Sequence, residues 1–93
     1  MASFADWDLV GFEAGRFPKK YNAVLRSKTD PQRLKRVAFG DQRYGQYRDQ
    51  TPLALFAGLD HLDVLRRRNY RARHANDLLG EWSPGYFSWA YLW

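Results

Sequence analysis

The sequence has no cysteine, which excludes a disulfide framework and any thiolate metal site. That absence fits a reducing compartment or a protein indifferent to redox. No apolar run is long enough to cross a bilayer. Asp6, Asp8 and Glu13 stand where a secretory leader would carry basic residues, so neither a membrane span nor a signal peptide is expected. There is no P-loop, no GxSxG nucleophile elbow and no HExxH zinc motif. The helix-turn-helix pattern and an RNP-like motif are missing too. Without repeats, low-complexity segments or a linker, the 93 residues read as one small domain over 1–93.

What is abundant is aromatic and basic. Phe, Trp and Tyr make up 17% of the chain, and a domain this small needs large side chains to build a core. Some of those rings, the C-terminal ones above all, could instead form an interface. Lys and Arg exceed Asp and Glu to give a net charge of +5, with a pI near 9.8. Such a balance favours anionic partners: nucleic acid, acidic protein surfaces or headgroups.

Taken in order, residues 1–10 hold Phe4 and Trp7 and suit either a short helix or a pinned strand. Gly11, Gly15 and Pro18 then break regular structure. From Lys19 to Ser27, Tyr21, Ala23 and Leu25 alternate with Lys20, Asn22, Val24 and Arg26, which predicts a strand with one buried face. The polar turn around Asp30-Pro31 leads into a second strand, Arg33 to Phe39. Leu34, Arg36 and Ala38 face one way in it, and Lys35, Val37 and Phe39 the other. The pair forms an antiparallel hairpin with a loop of about six residues. A third short strand fits around Tyr44 to Arg48. There Tyr44 and Tyr47, set among Arg43 and Arg48, either cap the sheet or stack on single-stranded nucleic acid.

The densest polar stretch runs from Asp60 to His74. Asp60 is an N-cap type, Asp63 adds first-turn negative charge, and Gly80 suits a C-terminal cap, so a helix is predicted from Asp60 to Leu79. Leu62, Leu65, Ala72 and Leu79 would form its thin packed stripe. Arg66, Arg67, Arg68, Arg71 and Arg73 cluster on it and could bind nucleic acid or a protein partner. Stacking of those arginines on the chain's own aromatics is the competing reading. Asp60, His61, Asp63 and His74 could furnish a general base or metal ligands, the less favoured enzyme reading. His61 and His74 are too far apart along one straight helix to share a metal, so no catalytic residue, metal ligand or cofactor is assigned.

Ser83 followed by Pro84 marks a helix start. The segment beyond holds Tyr86, Phe87, Trp89, Tyr91, Leu92 and Trp93, apolar nearly all round, so it is buried or completed by a partner. Trp89 or Trp93 is expected among the most buried side chains, and the end of the chain at Trp93 is expected to pair with an arginine of the central helix.

Five short pieces, KKY at Lys19–Tyr21, FG at Phe39–Gly40, YxD at Tyr47–Asp49, YRARH at Tyr70–His74 and the closing GYFSWAYLW at Gly85–Trp93, resemble a family of small proteins encoded by large DNA viruses and tailed phages. The likeness covers about residues 19–93 and leaves the first eighteen outside. It implies viral origin and transfers no catalytic residue.

Together these features predict an α+β domain: a small antiparallel hairpin or three-stranded sheet packed against a basic central helix and a short aromatic C-terminal helix. The functional expectation is a non-enzymatic structural protein, a minor capsid-associated component located in the virion or the host cytoplasm. It would bind other virion proteins, with no membrane partner. A small basic protein with nonspecific nucleic-acid affinity is the second reading.

Overall fold

The computed structural model describes residues 2–93; of the N-terminal segment, Met1 lies outside the described residues. The fold is α+β, a three-stranded antiparallel sheet with two helices. Strand β2, Tyr21–Ser27, occupies the centre, flanked by β1, Trp7–Ala14, and β3, Leu34–Phe39. The alternation read in β2 is the alternation of burial: Tyr21, Ala23, Leu25 and Ser27 are buried, and Arg26 is exposed. Cross-strand register pairs Tyr21 with Phe39 and Ala23 with Val37, so of the two faces of β3 the one carrying Val37 and Phe39 is the inner one. The hairpin connection runs over residues 28–33.

The third strand is β1, not the Tyr44–Arg48 segment. Gly11 does not break it: a bulge between Leu9 and Gly11 absorbs the irregularity, and pairing resumes at Gly11 with Val24. Of the two readings of the first ten residues, the strand is the one that forms, from Trp7 on; Phe12 and Leu9 bring β1 into the core.

Helix α1 covers Val64–Arg73, shorter at both ends than predicted. Leu62 adopts φ +52, a left-handed conformation that no helix beginning at Asp60 can contain. Asp63 is the N-cap instead, accepting from the amides of Leu65 and Arg66 at 3.0 and 3.1 Å. The helix closes at His74, and a separate 3₁₀ turn forms over Asp77–Leu79. Its expected apolar stripe points outward. Leu62, Leu65 and Leu79 are 59, 63 and 78% exposed, Ala72 is exposed too, and none of the helix's residues is buried. The packed face is Arg67, Tyr70, Arg71 and His74.

Helix α2, Pro84–Tyr91, starts as read: Ser83 accepts from the Tyr86 amide, and Pro84 fills the first turn. It lies across the inner face of the sheet. Its fully buried residue is Phe87, joined by Leu92 just beyond. Trp89 and Trp93 are only half-buried, because their ring faces are used against α1 rather than against the sheet. Phe87 stacks on Phe39 at 5.4 Å and on Trp82 at 5.6 Å and meets Phe12 edge-on at 6.2 Å. At Gly40 φ is +75, and a β-carbon there would lie 3.0 Å from Cβ of Lys20 and 3.1 Å from Leu92, so the turn out of β3 needs glycine for both conformation and space.

Replacing Phe87 by Ala should therefore cost about 3–5 kcal/mol, a large part of a small domain's total of about 5–15 kcal/mol. Trp89→Ala should cost less than half as much. Urea unfolding followed by near-UV circular dichroism checks the ranking, and a Trp89 effect equal to that of Phe87 would contradict this account of the core.

Candidate functional site

Between β3 and α1 the chain is irregular and polar, and it is organised by buried polar groups. Lys20 is only 2% exposed, a rare state for lysine. Its ammonium donates to the Tyr44 carbonyl at 2.9 Å and to Oε1 of Gln46. Gln46, itself fully buried, passes the connection on: its Nε2 donates to the Phe56 carbonyl at 2.9 Å and to Oδ1 of Asp60 at 2.6 Å. The same Asp60 oxygen accepts from the Asp49 amide at 2.7 Å. Asp60 therefore ties two loops together and does not cap α1.

A second buried group surrounds Asp49. One carboxylate oxygen accepts from the Thr51 amide and hydroxyl at 3.0 and 2.7 Å, the other from the Tyr21 hydroxyl and the Phe56 amide. The Tyr21 hydroxyl in turn accepts from the Leu55 amide at 2.8 Å. Burial pushes the Asp49 carboxyl up, but the hydrogen bonds from Thr51, Tyr21 and Phe56 outweigh it and leave the group below its ordinary value. Burial lowers the Lys20 ammonium, opposed by the nearby charges of Asp49, Asp41 and Asp60.

This network explains why no third strand forms around Tyr44. Residues 46–50 run as a strap instead. His61 and Leu62 amides donate to Gln46 and Tyr47 carbonyls, and Arg48 and Gln50 amides donate to Leu92 and Tyr91 carbonyls. One isolated parallel bridge, Gln46 with Asp60, is all the β-structure it makes.

The arginine cluster divides into two sets. Arg67 and Arg71 turn inward: both donate to the main-chain oxygen of Trp93, at 2.8 Å from Nε of Arg67 and 3.0 Å from Nη2 of Arg71. The central helix thus holds Trp93 through its main-chain oxygen. Arg67 also lies 4.6 Å from the Tyr47 ring centre and Arg71 4.3 Å from that of Trp89. Arg66, Arg68 and Arg73 are exposed, and their side chains make no hydrogen bond or ion pair among the described residues. Of the two tyrosines singled out in the sequence, Tyr47 is covered by Arg67, whereas Tyr44 is 67% exposed.

His61 and His74 stand at opposite ends of a column of rings. His61 lies 5.2 Å from Trp93, Trp93 stacks on Tyr70 at 4.3 Å and 7°, and Tyr70 stacks on His74 at 4.2 Å. His74 also pairs with Asp77 at 3.1 Å. Burial, with Asp77 close by, pushes the Tyr70 hydroxyl up to about 12, so it stays neutral at physiological pH. Among the described residues no three His or carboxylate side chains are grouped to hold a metal.

Two open clefts flank this column. One, of about 480 Å³, is bordered by Lys20, Gly40, Tyr70, His74, Gly85 and Trp93 together with Asp41 and Asp77. Residues of Lys19–Tyr21, Phe39–Gly40, Tyr70–His74 and Gly85–Trp93 meet there, and the Tyr47–Asp49 segment joins the last of these through the Arg48 amide, which donates to the Leu92 carbonyl at 3.2 Å. The other, of about 450 Å³, opens between the Tyr44 loop and α1.

No protein-family model matches the chain, and neither does any curated protein or solved structure. No helix among the described residues is long and apolar enough to cross a membrane.

Two carboxylates held by hydrogen bonds, the buried Asp49 and the partly exposed Asp41, set an acid limit on stability. Arg43 hydrogen bonds hold Asp41 down to about 2. A carboxyl lowered in the fold contributes stability above its unfolded value of about 4, lost as pH falls through the folded value. Stability should therefore decline from about pH 4 towards about pH 2. Asp49→Asn should lose about 1.5–3 kcal/mol at neutral pH and show a shallower acid decline. Urea midpoints between pH 7 and pH 2.5 test this; an unchanged acid slope would assign the loss to other groups.

Proposed function

We propose that the chain is a virus-encoded structural protein without enzymatic activity, a minor particle component that binds other virion proteins. The observation that carries this reading is the outward apolar side of α1 and the loop before it. Leu55, Leu59, Leu62, Val64 and Leu65 are exposed within one short stretch, beside Arg68. A helix attached through arginine and aromatic contacts, with its leucines left in solvent, is completed by a partner surface. Charge complementarity makes that partner surface apolar with an acidic rim.

The viral half of the proposal is supported by the resemblance of residues 19–93 to small proteins of large DNA viruses and tailed phages. The non-enzymatic half is supported by the placement of both histidines: each is engaged in ring contacts, and His74 is held by Asp77. The polar groups buried around Lys20 and Asp49 are engaged with one another and with main-chain groups, as groups that hold loops are.

Nuclease-treated particles should retain the protein at a fixed ratio to the major capsid protein, measured by quantitative mass spectrometry. The double variant Leu62→Asp/Leu65→Asp should fold, judged by an unchanged near-UV spectrum, and its incorporation should fall at least tenfold. Absence of the wild-type protein from purified particles, or normal incorporation of the folded variant, would refute the assignment.

A further inference from the structure

We propose that the cleft between the Tyr44–Gly45 loop and α1 binds the phosphate of a nucleotide, with the base against the Tyr44 ring. The site is separate from the apolar stretch that supports an assembly role, so each idea can fail alone.

The helix supplies the anion-binding wall. Arg66 and Arg73 are seven residues apart, close to two turns, with Asn69 between them, so all three project from one face. All three line the cleft. No Asp or Glu side chain does, whereas the neighbouring cleft has Asp41 and Asp77 in its wall. The other arginines nearby are engaged: Arg67 and Arg71 hold Trp93, and Arg43 is paired with Asp41 at 2.8 Å. Arg66 and Arg73 are therefore two uncommitted guanidinium groups facing one concavity. Guanidinium suits phosphate because its planar donors match phosphate oxygens in pairs.

A second observation comes from His61, which also lines the cleft. Its Nδ1 accepts from the Asp63 amide at 2.9 Å, so in the neutral ring the proton sits on Nε2. That Nε2 is buried and has no hydrogen-bond partner. An unmet buried donor in a native structure calls for an explanation; Nε2 is closed off from solvent, so an anion in this cleft becomes its acceptor with a small movement of the ring. The volume, about 450 Å³, lies within the range of small-ligand sites. Of the aromatic rings lining the cleft, Trp93 is already stacked on Tyr70, and Tyr44, 67% exposed, remains to receive a base. Stacking of this kind tolerates any base.

The phosphate could belong to a free nucleotide or to a single strand, and the two are separable by titration. ¹⁵N-labelled protein in low-salt, phosphate-free buffer is titrated with inorganic phosphate, AMP and an eight-residue oligothymidylate. The expected result is saturable movement of the Asn69 side-chain amide, the Arg66 and Arg73 Nε–H signals and the Tyr44–Gly45 amides. The Arg67 and Arg71 Nε–H signals stay in place. Tyr44 ring protons move upfield with AMP and the oligonucleotide and stay still with phosphate. Arg66→Glu/Arg73→Glu should weaken binding at least tenfold. Arg16→Glu/Arg26→Glu, an equal charge change outside the cleft, should change it less than threefold. Arg66→Gln/Arg73→Gln serves if charge reversal disturbs the fold. Oligonucleotide binding tenfold or more tighter than AMP identifies a strand as the source; equal affinities identify free nucleotide. Inorganic phosphate binding as tightly as AMP with the Tyr44 ring unmoved would overturn the proposal. So would equal losses in the two charge-reversal variants, or no saturable binding at all.

Discussion

A lysine ammonium sealed against the sheet governs the layout of this protein. An unpaired buried charge costs several kcal/mol, so wherever Lys20 goes its acceptors must follow. They are the Tyr44 carbonyl and the Gln46 side chain. Fixing residue 46 fixes Asp60 through the amide of the glutamine, and Asp60 fixes residue 49. The strap so formed gives its main-chain groups to residues 61–62 on one side and 91–92 on the other. One buried cation thus sets the course of the whole irregular region between β3 and α1.

The sheet itself needs no such device. Its edges are managed by other means: the bulge in β1 and the charged Lys35 and Arg36 on β3 make both poor templates for further strand pairing. Inside, aromatic rings do most of the filling, as a chain of this size requires. Phe87 is in contact distance of rings from both outer strands and from Trp82, which makes α2 the closing element of the core.

How much of this was legible in the residues follows from the physics of each part. The β2–β3 hairpin was readable because a period of two survives in Tyr21–Ala23–Leu25 and in Val37–Phe39. The start of α2 was readable because Ser-Pro is a local signal that needs no tertiary context. The orientation of α1 was not, because a leucine stripe predicts burial only when apolar contact is what attaches a helix. Here stacking and hydrogen bonds to one main-chain oxygen attach it, so the Arg67–Tyr70–Arg71–His74 face won. Asp60 looked like a cap, and only the left-handed Leu62 two residues later moves the cap to Asp63. The arginine cluster was visible as a cluster, but its division into an inward pair and an outward set depends on where Trp93 comes to rest. Nothing local marks Lys20, Gln46 or Asp49 as buried; the nearest hint is the lack of aliphatic side chains between Phe39 and Leu53, which leaves that stretch to be held by polar groups.

The attachment of α1 has a consequence for the order of events in folding. Of the groups that receive the helix, the Trp93 oxygen and the Trp89 and Trp93 rings belong to α2 or directly follow it, and the Tyr47 ring sits on the strap that the Tyr91 and Leu92 carbonyls hold. They are in place only after α2 has closed over the sheet. The ten-residue helix is too short to persist alone, so α1 is the last element to become stable and the first to be released. The helix that carries the free guanidinium groups, with the exposed leucines at its start, is thus held without a buried residue of its own.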